Sequence, residues 1–350
     1  CESLSDIMPL ENWNVSHGVN FQNMFSRCPF SDIKALENWN VSNAINLSHM
    51  FKVRSLTSVK ELQNWDVSKC KNFSGMFSFF SSLSDINALK NWNVSSGENF
   101  EGMFYYCESL SDIMPLENWN VSHGTNFEQM FYQCSLSNIK ALENWTVSKG
   151  TNFSGMFSHC SSLSDIKPLQ NWNVFNSINF GWMFDSCKSL SDIKALENWN
   201  VSNCNNFSTM FASCSLSDIN PLEKWDVSNC NNLGGIFAGC SSLTDIKPLE
   251  NWNVSNCNDL SAVFSGCSSL IDIKPLEKWN VSRSEKRRVG KECRSPLSDI
   301  KPLENWNISK CNNLGEIFSG CSSLTDIKPL EKWDVSNCNY FYRFFYECNS

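Results

Sequence analysis

Apolar positions recur along this chain with a single period. One unit reads Leu116, Trp119 and Val121, then Phe127, Met130-Phe131 and Cys134, with Leu110 and Ile113 leading into it. The tryptophan returns as Trp13, Trp39, Trp65, Trp92, Trp119, Trp145, Trp172, Trp199, Trp225, Trp252, Trp279, Trp306 and Trp333, always 26 or 27 residues on. A self-similarity of this length marks a solenoid, in which no unit can bury its apolar face alone and each must stack on its neighbours.

Within a unit the pattern predicts three local elements. The alternation Trp119-x-Val121 predicts a strand with one buried face, from which Asn118, Asn120 and Ser122 point away. Phe127, Met130, Phe131 and Cys134 fall at i, i+3, i+4 and i+7, the stripe of a short α- or 3₁₀-helix of about two turns. Leu110-x-x-Ile113-x-x-Leu116 has period three and predicts a tight extended or 3₁₀ return path. Pro115, Pro168, Pro221, Pro248, Pro275, Pro302 and Pro329 bend it. Together these predict an α/β repeat solenoid: a right-handed, leucine-rich-repeat-like coil array of about 13 units, with parallel strands on one face and short helices on the other. Strands step by about 4.8 Å and helices are wider, so the array curves.

Length alone would divide 350 residues into two or three domains, but the repeat argues for one array over residues 1–350. The chain opens at Cys1 and closes at Ser350, both in mid-repeat, and so reads as a fragment without the polar caps a solenoid needs. Residues 1–20 and 107–126 differ only at Val19 and Thr125, which points to duplication of a four-unit block. With 25 Phe and 14 Trp against 6 Tyr, the rings are of the kind chosen for burial. The net charge of −8 is uneven: residues 283–295 hold six Lys/Arg against two Glu, a local +4 that leaves −12 elsewhere. An acidic array disfavours nucleic acid and anionic membrane as partners. No apolar run reaches the 18 or more residues of a membrane span, and no signal peptide is present.

The unit over residues 283–296 departs from the pattern, with Arg287, Gly290 and Lys291 where Phe, Met and Phe belong, although its length is preserved. It reads as a polyanion-binding patch, as a solvated loop, or as a sequence artefact. The stretch Arg283–Ser295 resembles the translation of a sequencing-library adapter, differing at Lys286.

The combination Trp-[Asn/Asp]-Val-Ser, Met-Phe-x-x-Cys and Leu-x-x-Ile resembles the BspA-like surface-protein repeat, a leucine-rich unit of mycoplasmas and other organisms. The units here differ in carrying an extra residue or two, with Lys-Pro-Leu-Glu-Asn before the tryptophan. The resemblance implies a secreted or cell-surface protein with adhesive or protein-binding roles, no catalytic residues and no cofactor. Its ligands would be proteins or glycans on a host or neighbouring cell.

Candidate chemistry is sparse. The 18 cysteines form two columns, one closing the Met-Phe segment and one five residues past the tryptophan, where Gly, Ala or Ser also serve. That series demands a small buried residue, and the spacing lacks Cys-x-x-Cys or Cys/His metal motifs. A disulfide between neighbouring units is open only on the strand side. The recurrent aspartates, such as Asp112 and Asp165, read as turn caps rather than calcium ligands. Asn14, Asn40, Asn93, Asn120, Asn173, Asn200 and Asn253 would line an exposed strand face, the default ligand surface of a solenoid. Trp182 falls between stripe positions and is the best single aromatic contact. His17, His49, His123 and His159 sit in separate units, with no nucleophile–base pair or phosphate loop. The competing readings are an intracellular or viral scaffold of the same fold and, more remotely, a β-helix polysaccharide-active enzyme.

Overall fold

The structure is a computed structural model. It describes residues 4–51, 56–281, 299–311, 314, 317–318, 321, 323–346 and 348. The divergent unit at 283–296, and with it the choice between patch, loop and artefact, lies outside the described residues. The chain forms two compact units, Cys1–Asn176 and Ser177–Ser350. Both are built from the same coil.

Each coil carries one 3₁₀ turn, thirteen among the described residues, at the period-three stretch before the tryptophan. Met114–Leu116 shows how the residues make it. Asp112 Oδ1 accepts the Met114 N–H at 2.8 Å, so the turn starts capped. Pro115 supplies a fixed φ at a position where its missing N–H costs nothing. The turn closes when the Trp119 N–H reaches the Leu116 carbonyl at 3.0 Å. The capping role expected of the recurrent aspartates is thus observed, and Ser58 or Asn138 does the same work where aspartate is replaced.

The burial expected of Trp-x-Val is present, with Trp119 3% and Val121 1% exposed. The backbone there is not a strand. Asn120 Oδ1 accepts the Ser122 N–H at 3.1 Å and turns the chain into a corner. Parallel pairing begins farther on, at the asparagine seven residues past the tryptophan. Asn20, Asn46, Asn72, Asn99, Asn126 and Asn152 bridge in succession in the first unit, and Asn179, Asn206, Asn232 and Asp259 in the second.

The Phe-x-x-Met-Phe stripe is buried as expected, with Phe127, Met130 and Phe131 all at 0% exposure. It is not a helix. Alternate N–H groups turn outward to the adjacent coil, Phe127 to Asn152 O, Gln129 to Ser154 O, Phe131 to Met156 O and Gln133 to Ser158 O, at 2.8–3.0 Å, while Met130, Tyr132 and Cys134 donate to the carbonyl three residues back. Overlapping turns with left-handed residues at Gln129 (φ 52°) and Gln133 (φ 55°) make this possible. A two-turn helix is marginal by itself, whereas inter-coil bonding satisfies every other donor of the segment.

Aromatic columns fill the core of each unit. In the first, Phe100, Phe127 and Phe153 stack at 5.6 and 5.2 Å, and Phe104, Phe131 and Phe157 at 5.7 and 5.9 Å. In the second, Phe184, Phe211, Phe237 and Phe264 repeat this at 5.9–6.0 Å. Trp39, Trp65, Trp92, Trp119, Trp145 and Trp172 donate their indole N–H to the leucine carbonyl of the preceding coil at 2.9–3.1 Å. Trp225, Trp252, Trp279, Trp306 and Trp333 do likewise in the second unit. These indoles are therefore core, with their one polar atom satisfied across the coil interface, whereas Trp13 of the first coil is 54% exposed.

Of the sixteen cysteines described, all but Cys338 and Cys348 are buried. In the outer column the thiol donates to a phenylalanine carbonyl one coil back, as Cys107 to Phe77, Cys134 to Phe104 and Cys160 to Phe131, at 3.1–3.2 Å. Burial pushes the Cys70, Cys160 and Cys240 thiols up to about 12. Because the thiolate is the reactive form, these thiols are expected to resist a disulfide-exchange reagent in the native protein at pH 8 and to react fully in denaturant. Rapid native labelling of Cys134 or Cys160, read by peptide mass spectrometry, would contradict the buried ladder.

Candidate ligand-binding surface

Each coil turns at three side-chain-closed corners, and all three leave polar groups outside. The first is the aspartate cap of the 3₁₀ turn. The second holds the predicted ligand-face asparagines. Asn14, Asn40, Asn93, Asn120, Asn173, Asn200 and Asn253 are all exposed. Their Oδ1 atoms accept the backbone N–H two residues on, at 3.1–3.2 Å. Each amide is thus fixed in direction, and its NH₂ group is left toward solvent. Asp66 and Asp226 hold the same position and make the same turn at 3.0 Å. Hydrogen bonds from the Ser68 and Ser228 hydroxyls and N–H groups hold those two carboxyls below the usual range.

The third corner is the bridging asparagine, where side chains bond from one coil to the next. Asn206 Nδ2 donates to Asn179 Oδ1 at 2.9 Å, while Asn126 and Asn152 donate to Glu101 and Glu128 of the preceding coils at 3.2 and 2.8 Å. Trp182 stands ten residues past its coil's tryptophan, 46% exposed, on a left-handed backbone with φ 58°. Gly75, Gly102, Gly155 and Gly235 occupy that position elsewhere. The structure therefore puts Trp182 at the surface but does not group it with the asparagine column.

One group of exposed side chains was not foreseen from the sequence. Phe79, Tyr105, Tyr106 and Tyr132 form a half-buried aromatic strip in the first unit that runs on to His159. Phe79 stacks on Tyr106 at 5.4 Å, Tyr105 on Tyr132 at 4.8 Å, and Tyr105 meets Tyr106 at 4.7 Å. Burial, then the neighbouring Tyr106, raises the Tyr105 phenol above its ordinary value. The signal in the sequence was positional. Tyrosine replaces the serine or alanine found thirteen residues past the tryptophan at Ser78, Ser158 and Ala212.

Two shallow grooves lie between consecutive 3₁₀ turns. One is lined by Asp192, Lys194, Glu197, Asp218 and Lys224, the other by Asp32, Lys34, Glu37, Lys60 and Glu61. Lys224 pairs with Glu197 at 3.6 Å, and Lys34 pairs with Glu37. These are exposed ion pairs that repeat with the coil, not a converging acid and base. Among the described residues, no group of three or more His, Cys, Asp or Glu is placed to hold a metal. No helix among them is long and apolar enough to cross a membrane.

The sequence matches the family described as "Mycoplasma protein of unknown function, DUF285" over residues 19–140, 110–220, 178–300 and 297–350. The chain belongs to that family. Successive matches overlap because the DUF285 pattern is itself repetitive, as the BspA-like unit read from the sequence requires. No curated protein matches this DUF285 chain. Among solved structures it is similar to an internalin, InlF, of Listeria monocytogenes, at 17% identity over 90% of this chain and 77% of that one, TM-score 0.44. It is also similar to a leucine-rich cell surface protein of Faecalibacterium prausnitzii, at 16% identity over 88% and 82%, TM-score 0.38. A third is a leucine-rich repeat protein of Bacteroides ovatus, at 14% identity over 82% and 75%, TM-score 0.37.

Proposed function

We propose that this chain is a non-catalytic binding and adhesion module, secreted or held at a cell surface, that presents its repeat face to protein or glycan ligands of a host or neighbouring cell. The observation that carries this reading is the asparagine column. Asn14, Asn40, Asn93, Asn120 and Asn173 in the first unit, and Asn200 and Asn253 in the second, hold their amides at one position of the coil, fixed by the backbone. Preorganised donors that recur along each unit lower the entropic cost of engaging an extended ligand. Trp182 adds an aromatic face for a sugar ring or an apolar side chain.

The test is a glycan and protein array probed with the whole chain and with two variants. Asn93→Asp with Asn120→Asp removes two NH₂ donors but keeps the corner, since Asp66 makes the same turn. Trp182→Ala removes the exposed ring. Loss of array binding by at least tenfold with an unchanged melting temperature is expected of the first variant. Binding indifferent to both variants would end this assignment.

One observation favours an intracellular scaffold of the same fold, namely the Cys107, Cys134 and Cys160 thiols, which donate to backbone carbonyls in the reduced state expected of a reducing compartment. Locating the native protein by surface biotinylation of intact cells separates the two. Protection from the reagent would favour the scaffold.

A further inference from the structure

The aromatic strip is not explained by the coil. All six tyrosines of the chain fall in two places, Tyr105, Tyr106 and Tyr132 in the first unit and Tyr340, Tyr342 and Tyr346 in the last coil. In other coils the Tyr105 and Tyr132 position holds a small residue, as at Ser78, Ser158 and Ala212. Phe79 and Tyr106 also sit at φ 68° and 60°, the left-handed region where Gly239 and Gly266 serve in later coils. Arg27, Gln133 and His159 hold the same position at φ 55–64°, so the coil accepts many side chains there, and what sets Phe79 and Tyr106 apart is their rings.

The last coil shows what such a tyrosine can hold. Tyr346 lies thirteen residues past Trp333, the position of Tyr105 and Tyr132 in their own coils. The Arg343 guanidinium stands 4.5 Å from its ring centroid and 5.1 Å from that of Tyr342. Arg343 comes from the position ten residues past the tryptophan, on a left-handed backbone with φ 52°. In the coil of Tyr105 that position is Gly102, φ 55°, where an added Cβ would meet Tyr105 Cβ at 3.4 Å. The position from which an arginine reaches Tyr346 thus carries no side chain beside Tyr105, whose ring meets Phe79, Tyr106 and Tyr132 at 4.7–5.3 Å.

The surroundings favour a cation. Residues 91–139 hold six carboxylates (Glu98, Glu101, Glu108, Asp112, Glu117 and Glu128) and no Lys or Arg. Lys71 pairs with Glu98, but Glu101, Glu108 and Glu128 accept only from the amides of Asn126, Gln133 and Asn152. Glu101 directly precedes Gly102 in the chain, and Gln133, which donates to Glu108 at 2.9 Å, directly follows Tyr132.

We propose that Phe79, Tyr105, Tyr106 and Tyr132, with Glu101 and Glu108, form a docking site for an arginine- or lysine-rich segment of a partner protein, the first cation seated over Tyr105 beside Gly102. The site rests on reading the chain as a binding module, but not on the asparagine column.

Fluorescence anisotropy with labelled octa-arginine, and with octa-glutamate as control, tests it on the whole chain. Tyr105→Ser with Tyr132→Ser is tolerated by the fold, because Ser78 and Ser158 hold that position in adjacent coils. This pair of changes is expected to weaken octa-arginine binding at least tenfold. Gly102→Arg, which supplies from within the arginine that Arg343 supplies to Tyr346, is expected to abolish it. Tyr106→Gly is expected to raise the melting temperature while weakening binding. Absence of octa-arginine binding, or binding that ignores the tyrosine changes and tracks salt alone, overturns the site, as does competition by a neutral oligosaccharide. If the array still finds ligands sensitive to Asn93→Asp with Asn120→Asp, the site falls and the binding-module reading stands. An array without ligands together with no octa-arginine binding removes both.

Discussion

Trp119→Ala is expected to destabilise the first unit by about 3–5 kcal/mol, the range for truncating a large buried ring. The indole is 3% exposed and packs at 6.4 Å against Phe100 of the preceding coil. It also donates to the Leu89 carbonyl at 2.9 Å, which otherwise keeps only the Trp92 N–H at 3.1 Å, so truncation opens a cavity and removes one of that acceptor's two bonds. Trp119→Phe separates the two losses. It keeps most of the packing and removes the N–H, and is expected to cost about 0.5–1.5 kcal/mol. Because each coil contacts only its neighbours, the loss should open the coils around Trp119 first. Urea melts give the magnitude and native-state hydrogen exchange gives the extent. A loss below about 1 kcal/mol for the alanine variant would mean that the indole column is not the spine of the unit.

Gly124→Cys is the second large effect, and its sign depends on a partner. A Cβ at Gly124 would lie 2.4 Å from Phe127 Cζ and 3.0 Å from the Val121 carbonyl. Overpacking of this kind costs about 1–3 kcal/mol. The chain itself suggests the remedy. Gly18, Gly97, Gly124 and Gly150 are each followed three residues on by phenylalanine, whereas Cys230, Cys257 and Cys311 are followed by leucine. Cys70 and Cys204 keep phenylalanine, so the pair can be housed once the ring shifts, and the single variant should fold. Phe127→Leu alone leaves a void. The double variant is expected to recover at least about 1 kcal/mol relative to the sum of the singles, a coupling typical of residues in direct contact. Simple additivity in chemical melts would show that the two side chains do not share the space the structure assigns them.

The period, the burial pattern and the 3₁₀ return path could be read from the sequence. Spacing alone tells which face is apolar: Trp119, Val121, Phe127, Met130, Phe131 and Cys134 are all buried, and Leu116 closes the 3₁₀ turn at the period-three stretch. The turn-capping role of Asp112 could also be read, because an aspartate two residues before a proline-bearing turn has a local use for its carboxylate.

What the sequence could not determine was where the backbone bonds go. Residues at i, i+3, i+4 and i+7 line one side of a helix, but they also line one side of a run of turns whose N–H groups reach the next coil. The choice belongs to the neighbouring coil, which supplies acceptors the isolated segment lacks, so only tertiary structure could make it. The same holds for the parallel bridges at Asn99, Asn126 and Asn152, far from the predicted Trp-x-Val strand. The aromatic strip was hidden for a related reason. Phe79, Tyr105, Tyr106 and Tyr132 come from three coils and become one surface only when those coils are stacked. Periodicity identifies what each coil buries, because burial is imposed by the sequence of a single unit. Which exposed groups meet is set by the step from one coil to the next, which no single unit encodes.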